Sequence, residues 1–237
     1  MAGVHDGHRD RLRETFLKSG LDGFHEHNVL ELLLFYSIPR KDTNEIAHAL
    51  IEEFGSIDKV FDADVERLTK VKGVTQNSAV LIKMLPAIAR YYMSKKAEKK
   101  SRFNRLKTSK GLAEYFSPRF VGETHEVLHA LLLDNKLQPI ICKKMAEGTT
   151  ESVDMRIERI LKFTANYEAV YVAVSHNHPD GSPNPSSEDI TMTMKLYKAL
   201  KLINSELIDH IIIGNNGSFT SMCDIGYFAM EKMNENY

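Results

Sequence analysis

Apolar positions along this chain follow two different periods, and the change between them divides it. Through the first part they recur every three or four residues, as on the inner side of short helices. Leu12, Phe16 and Leu17 share one side of a charged helix over residues 8–20, and residues 29–36 form an apolar helix stopped by Ile38-Pro39. Residues 44–54 turn Ile46, Leu50 and Ile51 inward and end at Gly55, where a left-handed residue closes a helix. Short turns at 57–61 and 65–68 precede a longer helix over about 77–93. His25-Glu26-His27 reads as a helix start, because residues two apart on a helix do not face each other.

From Glu126 the runs become strand-like. Residues 127–133 (VLHALLL) are strand-length, and Asp134-Asn135-Lys136 turns the chain back into 137–142. Residues 145–152 read as irregular and 155–165 as a helix carrying Ile157, Ile160 and Leu161. A β-branched and aromatic strand at 167–175, a helix at 190–203 and a strand at 207–213 follow. Asn215-Asn216-Gly217 is a hairpin signal leading into 218–222. Interleaved strands and helices predict an α/β or α+β fold with a mixed sheet flanked by helices.

Between the two parts, residues 95–110 (KKAEKKSRFNRLKTSK) have no periodic apolar face. The expected organisation is a helical domain at 1–94, a basic linker at 95–108 and a mixed domain at 109–237. Charge follows this division. The net charge of -1 conceals 20 Lys and Arg against 15 Asp and Glu in residues 1–110, and 11 against 17 in 111–237. No apolar run approaches the roughly 18 residues of a membrane-spanning helix. The start of the chain has charges where a signal peptide needs an apolar core. Cys142 and Cys223 are too few for a disulfide framework. The expectation is a cytoplasmic protein with no membrane partner.

The stretch that carries chemistry is 175–189, SHNHPDGSPNPSSED. At the exit of a strand, residues two apart point to the same side, so His176 and His178 can face one point. Pro179, Pro183 and Pro185 constrain the loop, and Ser186 opens the next helix with Asp189 three residues on. Two imidazoles and a carboxylate make a three-ligand zinc site with the fourth position left to water. Ser-x-x-Asp before a helix is also a capping box, which needs no metal, and two nearby histidines can simply be solvated.

His176-x-His178-Pro179, six residues, then Ser186-x-x-Asp189 resembles the JAMM motif of JAB/MPN metalloproteases and isopeptidases. The surrounding words HNHPDGSPNPSSEDI and LIDHIIIG are closer still to the RadC family, and the likeness extends into the N-terminal region. The resemblance implies a JAB/MPN-like, cytidine deaminase-like C-terminal domain. It also implies Zn2+ held by His176, His178 and Asp189, and a protein or peptide substrate. In the resembled enzymes a glutamate opening an earlier strand serves as general acid/base, and Glu126, before VLHALLL, fits that position. Glu123 and Glu147 are the fallback candidates. Ser186 has a second role open to it, donating a hydrogen bond to the oxyanion of a tetrahedral intermediate. Asp189 as a ligand is expected to give up its capping role. His210, after Asp209, either orients a ligand or packs as an ordinary strand residue; His129 should be structural.

The segment LTKVKGVT, residues 68–75, resembles a helix-hairpin-helix, which offers helix N-terminal amides to DNA phosphates. Lys72, Gly73 and Thr75 are the candidate contacts, with Thr75 standing where the motif usually has a second glycine. The leading expectation is a zinc-dependent peptidase or isopeptidase. The alternative is a DNA-associated repair or recombination accessory acting through the hairpin and the basic run. A third is a metal-holding interaction domain without turnover.

Overall fold

The computed structural model describes residues 6–101, 105–148, 152–179 and 181–228. Residues 102–104 of the expected linker, 149–151 of the expected irregular stretch, residue 180 and residues 229–237 lie outside them. The chain packs as two units, Met1–Ala89 and Arg90–Tyr237.

The first unit is helical: α1 (Asp6–Ser19), α2 (Glu26–Leu34), α3 (Asn44–Phe54), α4 (Ile57–Asp62), α5 (Val65–Lys70) and the start of α6 (Gln76–Ser101). In α3 the buried residues are Ile46, Ala47, Leu50 and Phe54, one face at helical spacing, and Gly55 closes the helix at φ 90°. They share a core with Leu30, Leu34, Val60, Leu68, Val74 and Ile82. His25 caps α2 from an extended conformation, so its ring lies outside the helical period and stacks on His27 at 5.7 Å. His25-Glu26-His27 is nonetheless the helix start expected, with α2 beginning at Glu26.

α6 runs well past residue 93, so residues 95–101 of the expected linker are helical. Lysine and glutamate are good helix formers, and prolonging a helix needs no new nucleus. Glu98 adds ion pairs to Lys95 at 2.8 Å and Arg119 at 3.0 Å.

The second unit continues with α7 (Ser109–Phe116), β1 (Val127–Leu133), β2 (Pro139–Glu147), α8 (Val153–Asn166), β3 (Tyr171–Asn177), α9 (Ser187–Lys201), β4 (Glu206–Ile213) and β5 (Phe219–Ser221). The sheet order is β2-β1-β3-β4-β5, with β3 and β4 parallel and the other pairs antiparallel. This is the mixed α/β fold expected. Leu128, Ala130, Leu132, Val172 and Val174 pack with residues of α8 and α9, whereas Val127, Leu131, Leu133, Tyr171 and Ala173 pack with α7. Both faces are covered, which is why these strands read as continuous apolar runs.

Two boundaries moved with consequences for the site. α8 extends to Asn166, and Glu168 turns the chain at φ 48°, so β3 starts at Tyr171 and His176 lies within it. β2 continues through Lys143 and Lys144 to Glu147; as a sheet edge it tolerates exposed lysines, and its polar half hides the strand pattern. The Asn215–Gly217 turn does join β4 to β5, as a single 3-10 turn.

Candidate metal centre

β3 lies between β1 and β4, and its last residues deliver the candidate ligands. His176 pairs with Leu128 on one side and Ile212 on the other. His178 follows the strand, and its amide still donates to the Ile213 carbonyl at 2.9 Å, so its backbone is held in line. The loop is then pinned from β4: the Asn215 amide donates to the Gly181 carbonyl at 2.9 Å. Gly181 has φ 111°, a conformation few side-chain-bearing residues accept.

Period-two geometry brings the two imidazoles together. Nε2 of His176 is 3.0 Å from Nε2 of His178. Asp189 reaches both from α9, with Oδ1 3.1 Å from His176 and Oδ2 3.5 Å from His178. One ligand atom from each of the three residues lies within 4.8 Å of the others, the single such group among the described residues. His178 donates its Nδ1 proton to the Ser182 carbonyl at 2.7 Å, which leaves its Nε2 lone pair facing the cluster. The donor set of two imidazole nitrogens and a carboxylate suits a divalent transition ion.

Ser186 caps α9 in a reciprocal box. Its hydroxyl accepts from the Asp189 amide at 3.1 Å, and its own amide donates to Asp189 Oδ2 at 2.8 Å. The hydroxyl also donates to Oδ2 at 2.6 Å. Asp189 therefore caps α9 while lying beside both histidines. The carboxylate has two oxygens: Oδ2 completes the cap while Oδ1 faces His176. Burial opposes ionisation of Asp189, but His176 and Ser186 outweigh it and hold the carboxyl well below its usual range.

Glu126 sits just ahead of β1 and lines the same cleft as Arg156, His176, Glu188, Asp189 and His210. Its position is fixed through its neighbours. Asn177, buried between the two histidines in sequence, accepts from the Val127 amide at 2.8 Å and donates to the His125 carbonyl at 3.0 Å. Glu123 pairs with Arg90 and Glu147 with Lys144, so both fallback carboxylates are engaged elsewhere. His129 meets the edge of Phe120 with centroids 5.3 Å apart. Burial, then the charges of Arg119, Lys144 and Arg90, push it down to about 3.

His210 is fully buried, and its Nε2 lies 2.8 Å from His176 Nδ1. Burial first, and then His176, push its pKa down to about 3. Thr193 stands behind it, with Oγ1 2.5 Å from His210 Nδ1 and 2.6 Å from the Asp189 carbonyl. Sequence reasoning missed Thr193 and Asn177. Thr193 is four residues after Asp189, a spacing that places both on one helix face and was available as a signal.

Lys72, Gly73 and Thr75 lie in the first unit, away in sequence from these ligands. Gly73 has φ 93°, and a Cβ there would sit 2.8 Å from Ile46 Cδ1. Thr75 accepts from the Ser78 amide at 3.2 Å, capping α6 internally. Packing and capping thus account for both residues without a ligand. No described helix is long and apolar enough to cross a membrane.

Residues 106–227 match the family model described as RadC-like JAB domain. A UPF0758 protein from Fusobacterium nucleatum subsp. nucleatum is 34% identical over 218 residues, covering 90% of this chain and 94% of its own. A UPF0758 protein from Ruegeria pomeroyi is 32% identical over 209 residues, covering 88% and 92%. Matches over this share of both chains, with the His176, His178 and Asp189 cluster inside the matched segment, leave one conclusion: the chain belongs to the RadC-like JAB domain family.

Proposed function

We propose that this protein is a zinc-dependent hydrolase of the JAMM type that cleaves a peptide or isopeptide bond. The observation that carries the reading is the convergence of His176, His178 and Asp189 on one point, in a cleft that Glu126 also lines. In this reading the three residues hold Zn2+, which when bound supplies Lewis acidity that brings the pKa of a water towards about 7. Glu126 takes the proton from that water at its carboxylate and returns it to the leaving amine. Ser186 holds Asp189 through Oδ2; to assist an oxyanion as well, its hydroxyl must turn away from that oxygen. Asn177 keeps Glu126 at the cleft by fixing the residues on either side of it.

The test is metal analysis of the purified full-length protein with its His178→Ala and Glu126→Gln variants. The reading expects about one zinc per chain in the wild type and in E126Q, and little in H178A. Equal zinc in all three would sink the ligand assignment. A cleavage assay against peptide and isopeptide libraries should then find activity in the wild type and none in E126Q.

The DNA-associated reading is the weaker one, because the hairpin's glycine and threonine already have partners within the fold. It would need salt-dependent DNA binding that falls when Lys72 and the 95–110 lysines are neutralised.

A further inference from the structure

A second and larger cavity lies wholly within the second unit, bounded by α6, α7 and the turn between β4 and β5. It holds about 1000 Å³ and shares no described residue with the cleft of the candidate metal centre. Its floor is Ala113, Phe120 and Ile213, which belong to the core on the α7 side of the sheet. Leu128, Ala146 and Met192 of the other cleft belong to the core on the α9 side. Met93 and Phe219 stay 43% and 36% exposed along the cavity, so an occupant with an apolar surface would displace water from them. Lys96 lines it from α6 and Lys110 from α7. Both are exposed, and neither is in an ion pair among the described residues; Lys96 sits 5.3 Å over the Tyr92 ring. Glu114 also lines the cavity and has a partner of its own. Two cations against one anion leave the lining positive.

We infer that this cavity is a binding site for a small organic anion, with an apolar body against Phe120, Ile213 and Phe219 and one anionic group met by Lys96 and Lys110. Cavities of roughly this size, mostly apolar with a few placed polar groups, are where small molecules bind. The apolar lining supplies most of the affinity, because exposed ion pairs contribute little. The lysines set the sign of the ligand: a neutral body of the same shape gains only the apolar part, and a cation meets two like charges. The site does not depend on the metal reading. It does adjoin the loop that carries His178, because residues 213–215 form one wall of the cavity. The His178 amide donates to the Ile213 carbonyl and the Asn215 amide to the Gly181 carbonyl, each at 2.9 Å. An occupant that steadies this wall therefore steadies the loop as well.

The test titrates the full-length protein with two fluorescent probes. One is 1-anilinonaphthalene-8-sulfonate, an apolar ring system with a single anionic group; the other is N-phenyl-1-naphthylamine, the same rings without the sulfonate. The wild type should bind the sulfonate saturably, at about one per chain, and the neutral probe more weakly. The double variant Lys96→Gln, Lys110→Gln should weaken the sulfonate by about threefold to thirtyfold, the worth of two exposed ion pairs, and leave the neutral probe within about twofold. Ala97→Trp, which fills the cavity from α6, should abolish both. The sulfonate should also slow deuterium exchange at residues 92–97 and 213–219 of the wild type. A wild type that does not bind the sulfonate overturns the inference. So does a double variant that weakens both probes equally or neither, or an A97W variant that binds both as the wild type does. Should A97W not fold, the exchange map decides with the lysine pair: protection confined to residues away from the cavity rejects the site.

Discussion

Replacing Asn177 by alanine separates the two jobs done at the end of β3. The side chain is 5% exposed and makes two hydrogen bonds on the face opposite the histidines, to Val127 N–H at 2.8 Å and the His125 carbonyl at 3.0 Å. Val127 is fully buried, so its amide would lose its partner without gaining water, a loss of about 1–3 kcal/mol. His125 is exposed, and water can reach its carbonyl, so that bond contributes about 0.5–1.5 kcal/mol. Together they put the destabilisation of N177A at about 2–4 kcal/mol, readable by urea unfolding at neutral pH. Zinc content should stay at the wild-type level, because His176 and His178 keep their strand and loop anchors. Turnover should fall, because Glu126 loses the clamps on either side of it. A loss of stability under about 0.5 kcal/mol would refute the burial argument, and loss of zinc would refute the division between the faces.

Gly214→Ala tests the loop. An added Cβ would lie 2.4 Å from the Gly181 carbonyl oxygen, backbone that cannot step aside, so His178 should shift and zinc affinity fall at least about tenfold; affinity within twofold of the wild type would show the loop to be compliant. Gly73→Ala meets both a φ of 93° and Ile46 at 2.8 Å, and should cost about 2–4 kcal/mol in urea unfolding, with Ile46→Ala relieving the crowding but not the strain. If the single variant unfolds at the wild-type midpoint, the turn is not as described. His129 sets an acid limb. Its ordinary value of 6.5 falls to about 3 in the folded protein, so the unfolded chain binds a proton that the folded one refuses. The stability present above about pH 6.5 is then lost as pH falls towards 3, by up to about 1.4 kcal/mol per unit. His129→Leu should flatten that limb, and an unchanged slope between about pH 6.5 and 5 would contradict it.

The candidate ligands were legible because they are local. His176, His178 and Asp189 lie within one strand exit, one constrained loop and one helix start, and each of those has a short-range signature. Glu126 is fifty residues from His176 and became a candidate only through the likeness to a known family. His210 and Thr193 could not be placed together from spacing alone. Their meeting depends on β4 lying parallel to β3, with Val174 opposite His210, and on the side that α9 covers. The division of Asp189 between Ser186 at Oδ2 and His176 at Oδ1 was also beyond the sequence, because a residue type does not say which way each carboxylate oxygen points. The missed extensions of α6 and β2 share a cause: lysine-rich segments carry little hydrophobic pattern, and their structure is inherited from the element they continue.

In the proposed metal reading, the shared carboxylate of Asp189 makes the first turn of α9 and ion binding parts of one equilibrium. Whatever ion binding contributes to the stability of that turn, the formed turn contributes to ion binding. Amides at residues 187–190 should consequently exchange with deuterated solvent more slowly in proportion to how tightly an ion is held. Ion capture would then be legible in the protection of a helix end, with no substrate in hand.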